Sequence, residues 1–179
     1  FMPHKGLREL IQAFTELLQG DDTLGLLLVN ALYPGEADLA YYQDCQELIR
    51  DLGLQDRVHL VPDFLSLEES LSLLQKAELI VYPYQHTAES SSAAVRMGLA
   101  ANRPVACTPL SIFDDVAEVV HFLPGTKPRD LAAGIGGLLN DSDLLQAKDE
   151  IRQEWLAHNA WSNVGYRLSG LIRSLVSNS

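Results

Sequence analysis

The chain is short of several things, and each shortage narrows what it can be. It has two cysteines, Cys45 and Cys107, in 179 residues. Both lie in apolar surroundings, one in a helical pattern and one in a strand-like run, so buried thiols in a reducing compartment are expected, not a disulfide. Basic residues are scarce, 13 against 24 acidic ones, for a net charge of −11. Such a surface argues against general binding of nucleic acid or of anionic membranes, and leaves at most peripheral membrane contact. No apolar run is long enough for a bilayer-spanning helix, and no signal peptide opens the chain, so a cytoplasmic location is expected. The histidines at 4, 59, 86, 121 and 158 show no metal-ligand spacing with cysteine or carboxylate, so no metal site is expected. No repeat or low-complexity segment divides the chain. Residues 1–179 read as one domain, and 47% apolar content suffices for one core.

What is present alternates. Leu7, Leu10, Ile11, Phe14, Leu17 and Leu18 recur at helical spacing, and Gly20 with Asp21 and Asp22 ends that helix. Leu24 to Val29 is a continuous apolar run, expected to be a central strand covered on both faces. Leu39 to Leu52 reads as a helix closed by Gly53, and Val58 to Val61 as a strand. Ser66 and Glu69 form a capping box for a helix through Lys76. Leu79 to Val81 is the next strand, followed by a polar loop from His86 to Glu89. Ser90, Ser91 and Ser92 then open a helix ending near Ala101 and Asn102. Strands are expected at Val105 to Cys107 and Val119 to Leu123, with a turn of helix at Asp114–Asp115 between them. Arg129 to Leu139 reads as helix. Asp143 to Leu175 reads as helix broken at His158–Asn159, with Ser162 capping the last piece and Trp155 and Trp161 packing it. The order defines an α/β fold, a doubly wound parallel sheet of Rossmann-like type. No strand precedes the first helix although every later one has a strand, so the chain is expected to be a fragment of a longer protein, cut just after a missing strand or just inside it.

In a doubly wound sheet, ligands sit beyond the carboxyl ends of the strands. Phe1 to Leu7, Val61 to Ser66 and Tyr82 to Ser92 fall at that edge. The helix start after Glu89 offers free N–H groups and the positive end of a dipole, which suit an anion such as a diphosphate. Lys5 can reach a phosphate while Gly6 keeps the backbone close. Each of these features also has an ordinary structural use: an exposed lysine before a helix, or a carboxylate and serines that merely cap one, worth about 0.5–2 kcal/mol. Arg96 and Arg103 flank the helix and read best as surface residues. Tyr82 and Tyr84 follow a strand end, where core packing and contact with a nucleobase are both open.

Taken in order, these segments resemble the C-terminal, donor-binding half of GT-B glycosyltransferases, in particular the large retaining family 4 type (glycosyl transferases group 1). The resemblance runs over nearly the whole chain. It is carried by Phe1-Met2-Pro3-His4-Lys5-Gly6-Leu7 with Leu10-Ile11 and Ala13-Phe14; by Arg57-Val58-His59-Leu60 with Asp63-Phe64; by Glu78-Leu79-Ile80-Val81-Tyr82-Pro83; by Ala100-Ala101-Asn102-Arg103-Pro104-Val105; and by Ala160-Trp161-Ser162. It implies that Lys5 binds phosphate and that Glu89, the first of a family pair of glutamates, contacts the transferred sugar. The second glutamate, which in the family usually holds the nucleotide ribose, falls on Met97, which cannot accept two hydroxyl hydrogen bonds. The family's glycine-rich turn between the two is here Ser90-Ser91-Ser92. The implied partners are a nucleotide-diphosphate sugar donor, which is a substrate and not a cofactor, and a missing N-terminal acceptor domain. The resemblance implies no metal. Two other readings stand beside it: a non-catalytic glycosyltransferase-like scaffold or interaction module, and a nucleotide-sugar epimerase of related architecture.

Overall fold

The computed structural model of the protein describes residues 1–177. A short 3-10 turn, Pro3–Lys5, leads through Gly6 into α1, Leu7–Gly20. There follow β1 (Leu26–Val29), α2 (Glu36–Asp51), β2 (Val58–Val61), α3 (Leu67–Leu74), β3 (Ile80–Tyr82), α4 (Ala93–Ala100) and β4 (Val105–Cys107). A second 3-10 turn, Ser111–Val116, precedes β5 (His121–Phe122), α5 (Pro128–Leu139), α6 (Ser142–Gln146), α7 (Asp149–His158) and α8 (Trp161–Ser177).

All pairings among the described strands are parallel, as crossover helices require. β1 runs beside β2 with Leu26 opposite Val58 and Val29 opposite Val61. β3, β4 and β5 form a second parallel group in that order, with Ile80 opposite Val105 and Ala106 opposite His121. No ladder joins β1 to β3 among the described residues.

Two apolar cores lie on the two faces. One gathers Ile11 and Phe14 of α1, Cys45 and Ile49 of α2, Leu28 of β1 and Leu131 and Ile135 of α5. The other gathers Val95 and Leu99 of α4 with Ile112, Phe113 and Val116 of the second 3-10 turn. β4 shows why the sheet is covered on both sides. Successive side chains alternate across a strand, and Ala106 enters the first core while Val105 and Cys107 enter the second. Cys45 and Cys107 are both free and buried. Burial pushes the Cys45 thiol up to about 11 and the Cys107 thiol up as well, so both are protonated, unreactive packing groups at neutral pH.

Several expectations need correction. β1 is not covered on both faces, because Leu27 is 43% exposed. α2 starts three residues earlier than Leu39, at Glu36, where acidic Glu36 and Asp38 suit a helix N-terminus. β3 starts and ends one residue later than expected, and β5 shrinks to His121–Phe122. The turn expected at Asp114–Asp115 is a longer 3-10 stretch from Ser111. The C-terminal part breaks twice, at Ala147–Lys148 as well as after His158. Ser162 caps nothing, since α8 already includes Trp161. Trp155 packs against the second core as expected, but Trp161 is 89% exposed. The apolar Leu168, Leu171 and Ile172 of α8 also point to solvent. No helix among the described residues is long and apolar enough to cross a membrane.

Candidate functional site

Two loops at the carboxyl edge of the sheet are stitched together. Gln85 N–H donates to His4 O at 2.8 Å. Gly6 adopts φ +70°, and a Cβ there would lie 1.8 Å from Pro83 O. Only glycine fits, both for the left-handed backbone and for the contact. The close approach that Gly6 permits is thus to the segment after β3. The side chain of Gln85 adds bonds to Pro83 O and Thr126 O, both at 3.0 Å.

This suture sets Lys5 beside Tyr84. Lys5 Nζ donates to Tyr84 Oη at 2.9 Å and sits 4.0 Å from the centre of its ring. Tyr84 Oη lies 3.3 Å from Ser92 Oγ. Ser92 is the N-cap of α4, and its Oγ accepts Val95 N–H at 3.4 Å. A continuous hydrogen-bonded chain therefore links the Lys5 ammonium to the tip of α4. The first amides of α4, those of Ala93 and Ala94, precede any intrahelical acceptor, and both residues are exposed. The first turn of α4 holds no acidic residue, so nothing in it offsets the positive end of the dipole.

Of the three serines, only Ser92 caps the helix. Ser90 and Ser91 are exposed in the irregular stretch before it, as is Glu89. Glu89 N–H donates to Thr87 Oγ1 at 3.1 Å. His4 has its pKa lowered, first by burial and then by the Lys5 charge, while Glu89 pulls it upward. His4, Lys5 and Glu89 thus share one electrostatic neighbourhood. His4 Nε2 is buried without a hydrogen-bond partner. Met97 is half-buried on α4, away from the tip. Arg96 is committed elsewhere: one guanidinium nitrogen donates to Ser92 O at 2.8 Å and the other pairs with Asp115. Arg103 Nε donates to Ala77 O at 2.6 Å. Tyr82 packs over Gly98 and donates its hydroxyl to Ala94 O at 2.5 Å, anchoring the first turn of α4. Both tyrosines are therefore framework of the mouth. His86 is exposed in the loop. The described residues hold no group of three or more His, Cys, Asp or Glu placed to bind a metal.

Sequence reasoning treats Tyr84 as ambiguous and does not single out His4. The signal for Tyr84 was its place two residues after a strand end. Its contact with Lys5 spans 79 residues of sequence and has no local signature. A cleft of about 420 Å³ between α1 and α5, lined by Leu24 and Glu78, lies at the opposite edge, before β1 and β3, and shares no residue with the mouth.

Parallel strands, two helical layers and a helix tip at the carboxyl edge define a Rossmann-like α/β half-domain. The sequence profile of the family described as glycosyl transferases group 1 matches residues 1–141, and the chain belongs to that family. Its fold is that of the C-terminal half of a GT-B enzyme. It superposes on the sucrose-phosphate synthase tll1590 of Thermosynechococcus elongatus with TM-score 0.78 and 21% identity, over 99% of this chain and 44% of that one. Anabaena HepE, solved in complex with UDP-glucose, gives TM-score 0.77 and 18% identity over 100% of this chain and 47% of HepE. The C-terminal domain of the group 1 glycosyl transferase LpcC from Francisella tularensis gives 0.74 and 14%, over 89% of this chain and 81% of that domain. This chain thus spans less than half the length of the synthase and of HepE. No curated protein matches it in sequence.

Proposed function

We propose that this chain is the donor-binding half of a retaining glycosyltransferase, which moves a sugar from a nucleoside-diphosphate sugar to a glycan or other acceptor. The observation that carries the reading is the hydrogen-bonded chain from Lys5 through Tyr84 to the cap of α4. It puts a fixed cation and a helix N-terminus at one mouth. When the sugar–phosphate bond breaks, negative charge grows on the leaving diphosphate. The Lys5 ammonium and the Ala93 and Ala94 amides meet that charge without having to reorganise. Glu89, on the exposed loop before the helix, accepts hydrogen bonds from hydroxyls of the transferred sugar. The nucleotide sugar is the substrate, and this reading calls on no metal and no cofactor. HepE, which shares the fold, was solved with UDP, and UDP is accordingly the first nucleotide to try.

The acceptor binds to a separate N-terminal domain in this reading, so the 179-residue chain alone binds donor without turning it over. Met97 favours a second reading, a glycosyltransferase-like scaffold, because a thioether replaces the carboxylate that holds a ribose. Calorimetric titration with UDP, GDP and ADP separates the two. The enzyme reading expects micromolar binding of one of them, weakened about tenfold in Lys5→Ala, as loss of a charge-assisted bond implies. No binding of any nucleotide supports the scaffold.

A further inference from the structure

We infer that Tyr84 is a positioning residue of the diphosphate cradle: its hydroxyl pins the Lys5 ammonium to the N-cap of α4. The inference rests on the reading of Lys5 and α4 as that cradle and assigns a role to a residue the family resemblance leaves without one.

Tyr84 is only 3% exposed. Its ring is wedged against Phe113, with centroids 5.2 Å apart, and meets His4 and Tyr82 edge-on at 6.2 Å each. The hydroxyl has one hydrogen to give and lone pairs to accept with. An ammonium can only donate, so Tyr84 Oη is the acceptor toward Lys5. Its own O–H is then free to donate to Ser92 Oγ, which also accepts Val95 N–H. The hydroxyl therefore joins the cation to the cap, whichever of the Tyr84 and Ser92 hydroxyls donates between them. The hydroxyl has a partner on each side and the residue is buried, so Tyr84 acts through Lys5 and not on the ligand. The ammonium has three donors. Tyr84 takes one and leaves two for diphosphate oxygens. A lysine stem has large rotamer freedom, which binding must otherwise remove. Here the hydroxyl, the ring face below the amine and the backbone bond from Gln85 N–H to His4 O remove it beforehand.

The test is a double-mutant cycle on the full chain with UDP as the probe. It uses Tyr84→Phe, which keeps the ring, Lys5→Ala, and the pair. Tyr84→Phe is expected to weaken UDP binding about three- to tenfold, with the melting temperature moved by no more than a few degrees. In the Lys5→Ala background the same substitution is expected to change nothing further, since its effect passes through the lysine. Equal losses in both backgrounds, or none in the wild type, would overturn the inference. A second readout needs no ligand. Acetic anhydride labelling, followed by mass spectrometry, compares the amine of Lys5 with those of Lys76, Lys127 and Lys148. Tyr84→Phe is expected to speed labelling at Lys5 alone. An unchanged rate there sinks the positioning role even if UDP binds, whereas failure of the wild type to bind any nucleotide with a faster Lys5 in Tyr84→Phe sinks only the cradle reading.

Discussion

α3 and α4 are both eight residues long, and both start from a serine N-cap. Their tips differ in charge. At α3, Ser66 Oγ accepts Glu69 N–H at 3.2 Å, and Glu69 Oε2 accepts Ser66 N–H at 2.8 Å. Glu68 and Glu69 also place two carboxylates in the first turn. The box pairs the Ser66 and Glu69 amides, and the two carboxylates screen the dipole. The hydrogen bonds with Ser66 hold the Glu69 carboxyl below its ordinary value. At α4 the residue three beyond the cap is Val95, not glutamate, and the first turn has no acid. The cap oxygen also contacts Tyr84 Oη, and the open first two amides, which α3 has as well at Leu67 and Glu68, face no carboxylate of their own turn. Two similar serine starts thus divide the labour: one ends a helix, the other leaves a positive terminus next to a lysine. The informative signal is the acid that α4 lacks.

The largest effect comes from breaking the suture that brings Lys5 to α4. Gly6→Ala must push a Cβ into Pro83 O and hold φ at +70°. A loss of about 2–4 kcal/mol is expected, or roughly 5–15 °C in melting temperature, measured by circular dichroism. UDP binding falls with it. Gly53→Ala, also at positive φ but with open space around its Cβ position, is the milder control.

Making α4 resemble α3 is the next step. Ala94→Glu puts a carboxylate in the first turn at an exposed position. Helix and fold gain about 0.3–1 kcal/mol from the dipole, while UDP affinity drops about tenfold or more through repulsion at the mouth. Stability and binding are expected to move in opposite directions, which a general packing defect does not produce. Calorimetry and a thermal melt on the same sample read both.

The smallest effect is a pH dependence. His4 at the mouth and His121 at β5 both have pKa values below the ordinary 6.5, each chiefly through burial. His121 Nε2 lies 3.2 Å from Leu145 O. Both are neutral in the fold, and the unfolded chain takes up their protons first as pH falls. Their contribution is whole above about 6.5 and is lost as pH drops through their folded values. Melting temperature is expected to decline from pH 7.5 to 5.5, less steeply in His121→Gln.

Much of the fold was legible because it is local. β2, β4 and the Ser66–Glu69 capping box are where apolar runs and capping chemistry put them. The doubly wound order follows from alternation of the two periodicities. The start of α2, three residues before the apolar periodicity begins, has no local mark because Gly35 offers no side-chain cap. Ser162 misled because a serine near a helix start reads as a cap unless the chain beyond it is seen. At the site, Lys5, Glu89 and the serine run were picked out by type and place, yet their grouping depends on contacts without sequence periodicity. Gly6 against Pro83, Gln85 to His4, and Lys5 to Tyr84 all join loops some 80 residues apart. No window along the chain contains both halves of such a contact.

The most direct test of a shared lysine–α4 cradle is a ¹⁵N–¹H NMR titration of the chain with UDP. The amides of Gly6, Ala93 and Ala94 are expected to shift most and to saturate together, while those of Glu68 and Glu69 at the self-capped tip of α3 stay still. Saturation without movement at Ala93 and Ala94, or movement centred on α3, contradicts the account.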